Sequence, residues 1–165
     1  MPLTTEDHER IEAFRTYIED YVSTDDRYGP ATRHDREQKV WFATRFEVAP
    51  TCWFEVAVVA DAPAIRVAFV TSDQERRAVI DAAVADFGSN LQSYVASAIA
   101  EAGYDWPDAP AEETTQDGLF CYATHVKLDE LRDLDNDDIR DNTLRILEGF
   151  MLAFAPALGV EEEVD

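Results

Sequence analysis

The stretch VWFATRFEVAPTCWFEVAVVA, Val40 to Ala60, decides the fold. Two runs rich in valine and aromatic residues flank Ala49-Pro50-Thr51, a turn signal, so the segment predicts a β-hairpin. Closing the hairpin there sets Phe46 opposite Phe54, Thr44 opposite Val56 and Phe42 opposite Val58, and it places Arg45 across from Glu55. An apolar ladder on one side and an opposite-charge pair on the other support this register, because a slip of one residue would exchange the faces.

On the C-terminal side, a turn at Asp61-Ala62-Pro63-Ala64 lets Ile65, Val67 and Phe69 of a third strand continue the apolar face. The reverse face then carries Trp41, Val59 and Arg66 in one cross-strand row. The next rows hold Ala43, Ala57 and Ala68, then Arg45, Glu55 and Val70, and finally Glu47 with Trp53. Three aligned alanines between tryptophans predict a shallow trough. Small residues permit close approach of another backbone, and tryptophan and arginine are favoured interface anchors. Trp41, Ala43, Trp53, Ala57, Arg66 and Ala68 are therefore the candidate partner-binding residues. The competing expectation is that the long helix or the 104–118 segment of the same chain covers this face, because large apolar patches on monomers are uncommon.

Outside the meander the periodicity turns helical. Thr4 or Thr5 caps a first helix whose stripe is Ile11, Phe14, Ile18, Tyr21 and Val22. Ser23 to Gln38 reads as a polar connection, broken by Gly29 and Pro30. Ser72 and Glu75 form a capping box opening the pattern Ile80, Val84, Phe87, Leu91, Val95 and Ile99, either one helix kinked at Gly88-Ser89 or two abutting ones, closed by Gly103. Tyr104 to Gly118 reads as an acidic loop mobile at its tip, and Leu119 to Val126 as a fourth strand. A last helix carries Ile139, Ile146, Leu147, Phe150 and Phe154, with Pro156 near its end and an acidic tail over 159–165. The expected fold is α+β, in the order α-β-β-β-α-β-α. About four antiparallel strands carry helices on one face, in one domain over 1–165.

At 165 residues the chain buries roughly two thirds of its unfolded surface, enough for a core without metal or disulfide staples. No apolar run approaches bilayer length, and MPLTTEDHER lacks the basic start and apolar centre of a secretory signal, so a cytoplasmic location and no membrane partner are expected. Thirty-five acids against 14 bases leave a net charge of −21, and only Lys39 and Lys127 are lysines. The absence of a basic stripe argues against nucleic acid. This composition resembles that of cytoplasmic proteins of halophilic archaea. At 1 M salt the Debye length is about 3 Å, so surplus acids stop repelling one another within the fold while still opposing aggregation.

The residues that could carry chemistry are sparse. Asp133, Asp135, Asp137 and Asp141 imitate the spacing of a calcium loop, but Asp138 stands where glycine must turn the chain and Leu144 where a glutamate must close the site. The expectation is an acidic helix start and no metal. His8, His34 and His125 have no ligand spacing with Cys52 or Cys121, and both cysteines read as core in a reducing compartment. Cys121 and His125 share a strand face but stand about 13 Å apart, too far for a nucleophile and its base. A Cys/His enzyme joining Cys52 to His125 in a sheet–helix pocket, or an acidic cation-binding protein, are the alternatives. No catalytic residue or cofactor is expected.

The succession of helix, three-strand meander, long helix, strand and helix over about Thr5 to Leu158 resembles the type III secretion chaperone-like fold, and within it the YbjN-like proteins. That fold has a further strand after the long helix, which here only the proline-containing segment could supply. The resemblance implies a small, acidic, non-catalytic protein, often dimeric, that holds other polypeptides on sheet or helix surfaces. The expected function is a protein-interaction module, chaperone-like or regulatory, with a protein partner or a second copy on the reverse sheet face.

Overall fold

The computed structural model describes residues 3–36 and 40–159. Ten regular elements follow in the order α1 (Thr5–Val22), β1 (Ala31–Arg36), β2 (Trp41–Ala49), β3 (Cys52–Val59), β4 (Ala64–Thr71), α2 (Gln74–Phe87), α3 (Leu91–Glu101), β5 (Glu112–Gln116), β6 (Leu119–Lys127) and α4 (Asp137–Leu158). A 3-10 turn at Leu131–Asp135 leads into α4. The strands form one antiparallel sheet in the order β1-β2-β3-β4-β6-β5. The α+β class stands, but the sheet has six strands where about four were expected. Of the acidic tail, 160–165 lie outside the described residues.

Both additional strands are edge strands. β1 lies in the expected polar connection and β5 in the expected loop, and every residue of each is exposed. Neither alternates apolar with polar residues. Their place is fixed by backbone pairing and by ions. Arg15 of α1, 3% exposed, grips both carboxylate oxygens of Asp35 at 2.8 and 3.1 Å and donates to the Ala43 carbonyl. Arg33 reaches Glu12 and Glu19. β5 is tied to α2 by Arg77 and Glu113, 3.0 Å apart.

Local signals set the helix ends. Thr4 Oγ1 accepts from the Asp7 amide and Asp7 accepts from the Thr4 amide, satisfying two otherwise orphaned donors. The Thr4 amide and hydroxyl hold the Asp7 carboxyl below the usual carboxylate range. α2 departs from expectation: Asp73, not Ser72, caps it by accepting from the Glu75 amide, because the Ser72 amide is still bound to the Thr51 carbonyl at the sheet's end. Gly88 takes a left-handed turn (φ 83°) and Asn90 caps a fresh helix, so the long pattern is two helices.

One sheet face meets all the helices. Phe42, Phe46, Phe54, Val56, Ile65, Val67, Phe69 and Tyr122 pack against Ile11, Phe14 and Ile18 of α1, Ile80 of α2, Val95 and Ile99 of α3, and Ile146, Phe150 and Phe154 of α4. Phe154 stacks on Phe69 with ring centroids 5.0 Å apart, and Phe54 follows at 5.2 Å. α4 is the hub, touching α1, α2, α3 and β4. Its last turn contains Pro156, and Arg76 donates to the otherwise orphaned terminal carbonyl of Ala157 at 2.7 Å, while Tyr94 donates to that of Ala153 one turn earlier. No helix of the described residues is long and apolar enough to cross a membrane.

Candidate functional site

The β2–β3 register is the expected one: Trp41 pairs with Val59, Ala43 with Ala57, Arg45 with Glu55 and Phe46 with Phe54, with an irregularity between Glu47 and Ala49. The β3–β4 register is two residues tighter than expected. Val59 pairs with Ala64 across a four-residue loop, so Ala57 faces Arg66 and Glu55 faces Ala68. Because the shift is even, no side chain changes face. The alanine row is corrected: Ala43 and Ala57 are followed by Arg66, while Ala68 stands beside Glu55.

Adding β1 and β6 completes the rows of the reverse face. One runs Arg36, Trp41, Val59, Ala64, Lys127, and the next His34, Ala43, Ala57, Arg66, His125. The third runs Thr32, Arg45, Glu55, Ala68, Ala123, Glu112. The apolar cluster on this side, Ala68, Val70 and Ala123 with Trp53, Leu119 and Cys121, contains strand residues alone. No helix of the described residues covers it.

The alanines are nevertheless out of reach. Ala43 and Ala68 are 0% exposed and Ala57 1%, roofed by the long side chains around them. Glu55, 3% exposed, accepts from Arg45 Nε at 3.0 Å on one oxygen and from Arg66 Nη1 at 2.6 Å on the other. Each arginine also lies over an indole: Arg45 Cζ is 5.0 Å from the Trp53 ring centroid and Arg66 Cζ 5.3 Å from that of Trp41. Of the six expected site residues, Trp41, Trp53 and Arg66 are accessible and converge on this layer, whereas Ala43, Ala57 and Ala68 form its floor. A partner would meet arginine and tryptophan, not an alanine trough.

Three hollows open on this face, one of them, of about 350 Å³, between Thr32, His34, Arg45, Glu47 and Trp53. A narrow one of about 80 Å³ reaches from His34 and Arg36 past Glu55 and Arg66 to Leu119 and Cys121. A wider apolar groove of about 510 Å³ lies at the other end, between Trp41, Val59, Ala62, Pro63, Ala64 and Lys127. The paired strand positions here carry four bases (Arg36, Arg45, Arg66, Lys127) and three acids (Glu47, Glu55, Glu112), against 14 and 35 in the whole chain. The face is the relatively cationic side of a strongly acidic molecule. Sequence reasoning missed Arg36, His34, His125 and Lys127 because their rows close only through β1 and through the β4–β6 pairing.

The Cys52–His125 constellation does not form. Cys52 sits in the helix-covered core, while His125 shares the reverse face with Arg66. Burial pushes the Cys52 thiol up to about 11, so it stays protonated. Three of the four carboxylates of the calcium-loop look-alike are otherwise engaged. Asp133 accepts from the Asp129 and Glu130 amides, Asp135 pairs with Arg10, and Asp141 accepts from the Tyr17 hydroxyl. No group of three or more His, Cys, Asp or Glu among the described residues could hold a metal ion. A larger hollow of about 600 Å³, lined by Tyr21, Asp25, Arg27, Tyr28, Arg145 and Glu148, lies on the helical side. There Arg27 is spent on Asp25 and Glu148, and neither cysteine nor histidine lines it.

Burial and then Arg66 lower the His125 pKa, and burial and then Arg45 lower that of His34. The folded protein thus resists protonating both rings. Their contribution to stability is whole above the unfolded value of about 6.5 and is lost as the pH falls through the depressed folded values. Urea unfolding at pH 7 and pH 5, at fixed salt, should show His125→Asn losing less stability over that interval than the parent chain, and equal losses would refute the placement of His125 beside Arg66.

No protein-family model, curated protein or solved structure matches the chain.

Proposed function

We propose that the chain is a non-enzymatic interaction module of chaperone-like or regulatory type, which holds another polypeptide against the reverse face of its sheet. The observation that carries this reading is the asymmetry of the sheet. All four helices of the described residues lie on one side, and the other keeps Trp41 and Trp53 half-buried under arginines, beside an apolar groove that no described element fills. Aromatic and arginine side chains supply most binding energy at interfaces, and each indole here is held in place by a guanidinium. Retention in a saline cytoplasm is part of the same reading, since the acid surplus elsewhere keeps the free module dispersed.

The test places a photoreactive benzoylphenylalanine at position 62, replacing the exposed Ala62 at the groove's rim, and a control at the exposed Leu152 on α4. Irradiation in cells should give discrete polypeptide adducts from position 62 and none from position 152. Adducts from 152 alone, or none from either, would refute the docking face.

A further inference from the structure

In a chain with 35 acids and 14 bases, a cation that forms no ion pair among the described residues is conspicuous. Arg36 and Lys127 are two such cations: neither forms an ion pair among the described residues. They stand at the two ends of one cross-strand row, with Trp41, Val59 and Ala64 between them, and that row borders the apolar groove. Arg36 and Lys127 are both exposed, and the Arg36 guanidinium carbon is 6.0 Å from the Trp41 ring centroid. The row therefore reads cation, apolar floor, cation.

We propose that this row is a binding site for an extended acidic segment of another protein, lying across the strands with a carboxylate at each end and apolar side chains in the groove. The proposal rests on the docking face argued above and adds the chemistry of its occupant. Four inter-strand steps separate β1 from β6, about 19 Å. In an extended peptide, residues i and i+6 are about 20 Å apart and point the same way, and i+2 and i+4 between them point with them. An acid-x-apolar-x-apolar-x-acid pattern matches the row in length, in direction and in charge. The remaining acids of the protein do not forbid the approach in strong salt, where screening within about 3 Å removes long-range repulsion and leaves contact pairing.

The probe is the heptapeptide Glu-Ser-Leu-Ser-Val-Ser-Glu, titrated into isotope-labelled protein in about 1 M KCl and followed by amide and indole NMR shifts. Saturable shifts are expected at the Trp41 indole and at the amides of Arg36, Val59, Ala64 and Lys127, with the Trp106 indole unmoved. Arg36→Ala and Lys127→Ala, both exposed and so compatible with folding, should each weaken binding about fivefold, the scale of an exposed ion pair. The analogue with lysine in place of both glutamates should not bind. Shifts that spare this row, binding indifferent to both substitutions, or no binding at all would overturn the proposal. Adducts at position 62 alongside any of those results would leave the face standing with a different occupant, and loss of both would remove the docking reading as well.

Discussion

Glu55→Ala lowers the unfolding free energy by about 3 kcal/mol, because it leaves two guanidinium groups facing each other over a shielded floor with no anion between them. Arg45 and Arg66 each bond one oxygen of a carboxylate that is 3% exposed, so a single truncation breaks both contacts. The arginine side chains retain 24% and 12% exposure and relax partly toward solvent, which holds the effect to the lower part of the range for buried pairs. Urea unfolding at constant salt measures it. Glu55→Gln keeps the shape without the charge and should fall between parent and alanine. A change within about 0.5 kcal/mol for Glu55→Ala would mean that the arginines stand free of the glutamate.

Gly149→Ala is the second large effect, and its sign runs against helix propensity. In the interior of a helix, alanine is favoured over glycine by about 1 kcal/mol. At position 149, however, an added Cβ would come within 2.7 Å of the Ile99 Cα and 2.9 Å of its backbone nitrogen. α3 and α4 touch through backbone here, so no rotamer change relieves the clash and the helices must separate. The expected result is a net loss of about 2 kcal/mol or more, read as a lowered thermal midpoint with the core aromatic signal altered. Adding Ile99→Ala should restore little, because the obstruction is main chain. Unchanged or raised stability in Gly149→Ala would show that the two helices lie further apart than described.

The hairpin was legible to the residue because two signals constrained it together: a proline turn fixed the loop, and the Arg45–Glu55 pair opposite an aromatic ladder fixed the parity. The next turn had no such pair. The segment from Ala60 to Pro63 admits several loop lengths of equal parity, so faces were readable from Ile65, Val67 and Phe69 while rows were not. β1 and β5 were unreadable for a different reason. ATRHDR and EETTQ bury nothing, and strands held by backbone pairing and surface ions leave no period in the hydrophobicity. The site suffered accordingly: its tryptophans and Arg66 were visible in the meander, whereas Arg36 and His34 belong to the unreadable edge.

α4 lies behind all six strands in chain order, yet its Phe154 lies flat on Phe69 in β4. On the ribosome the part of the apolar face that α4 covers must therefore wait, uncovered, until Asp137–Leu158 has left the exit tunnel. During that interval a nascent chain is vulnerable to sticking to its neighbours on the same messenger, and the surplus of carboxylates already spread along it is what keeps those neighbours apart.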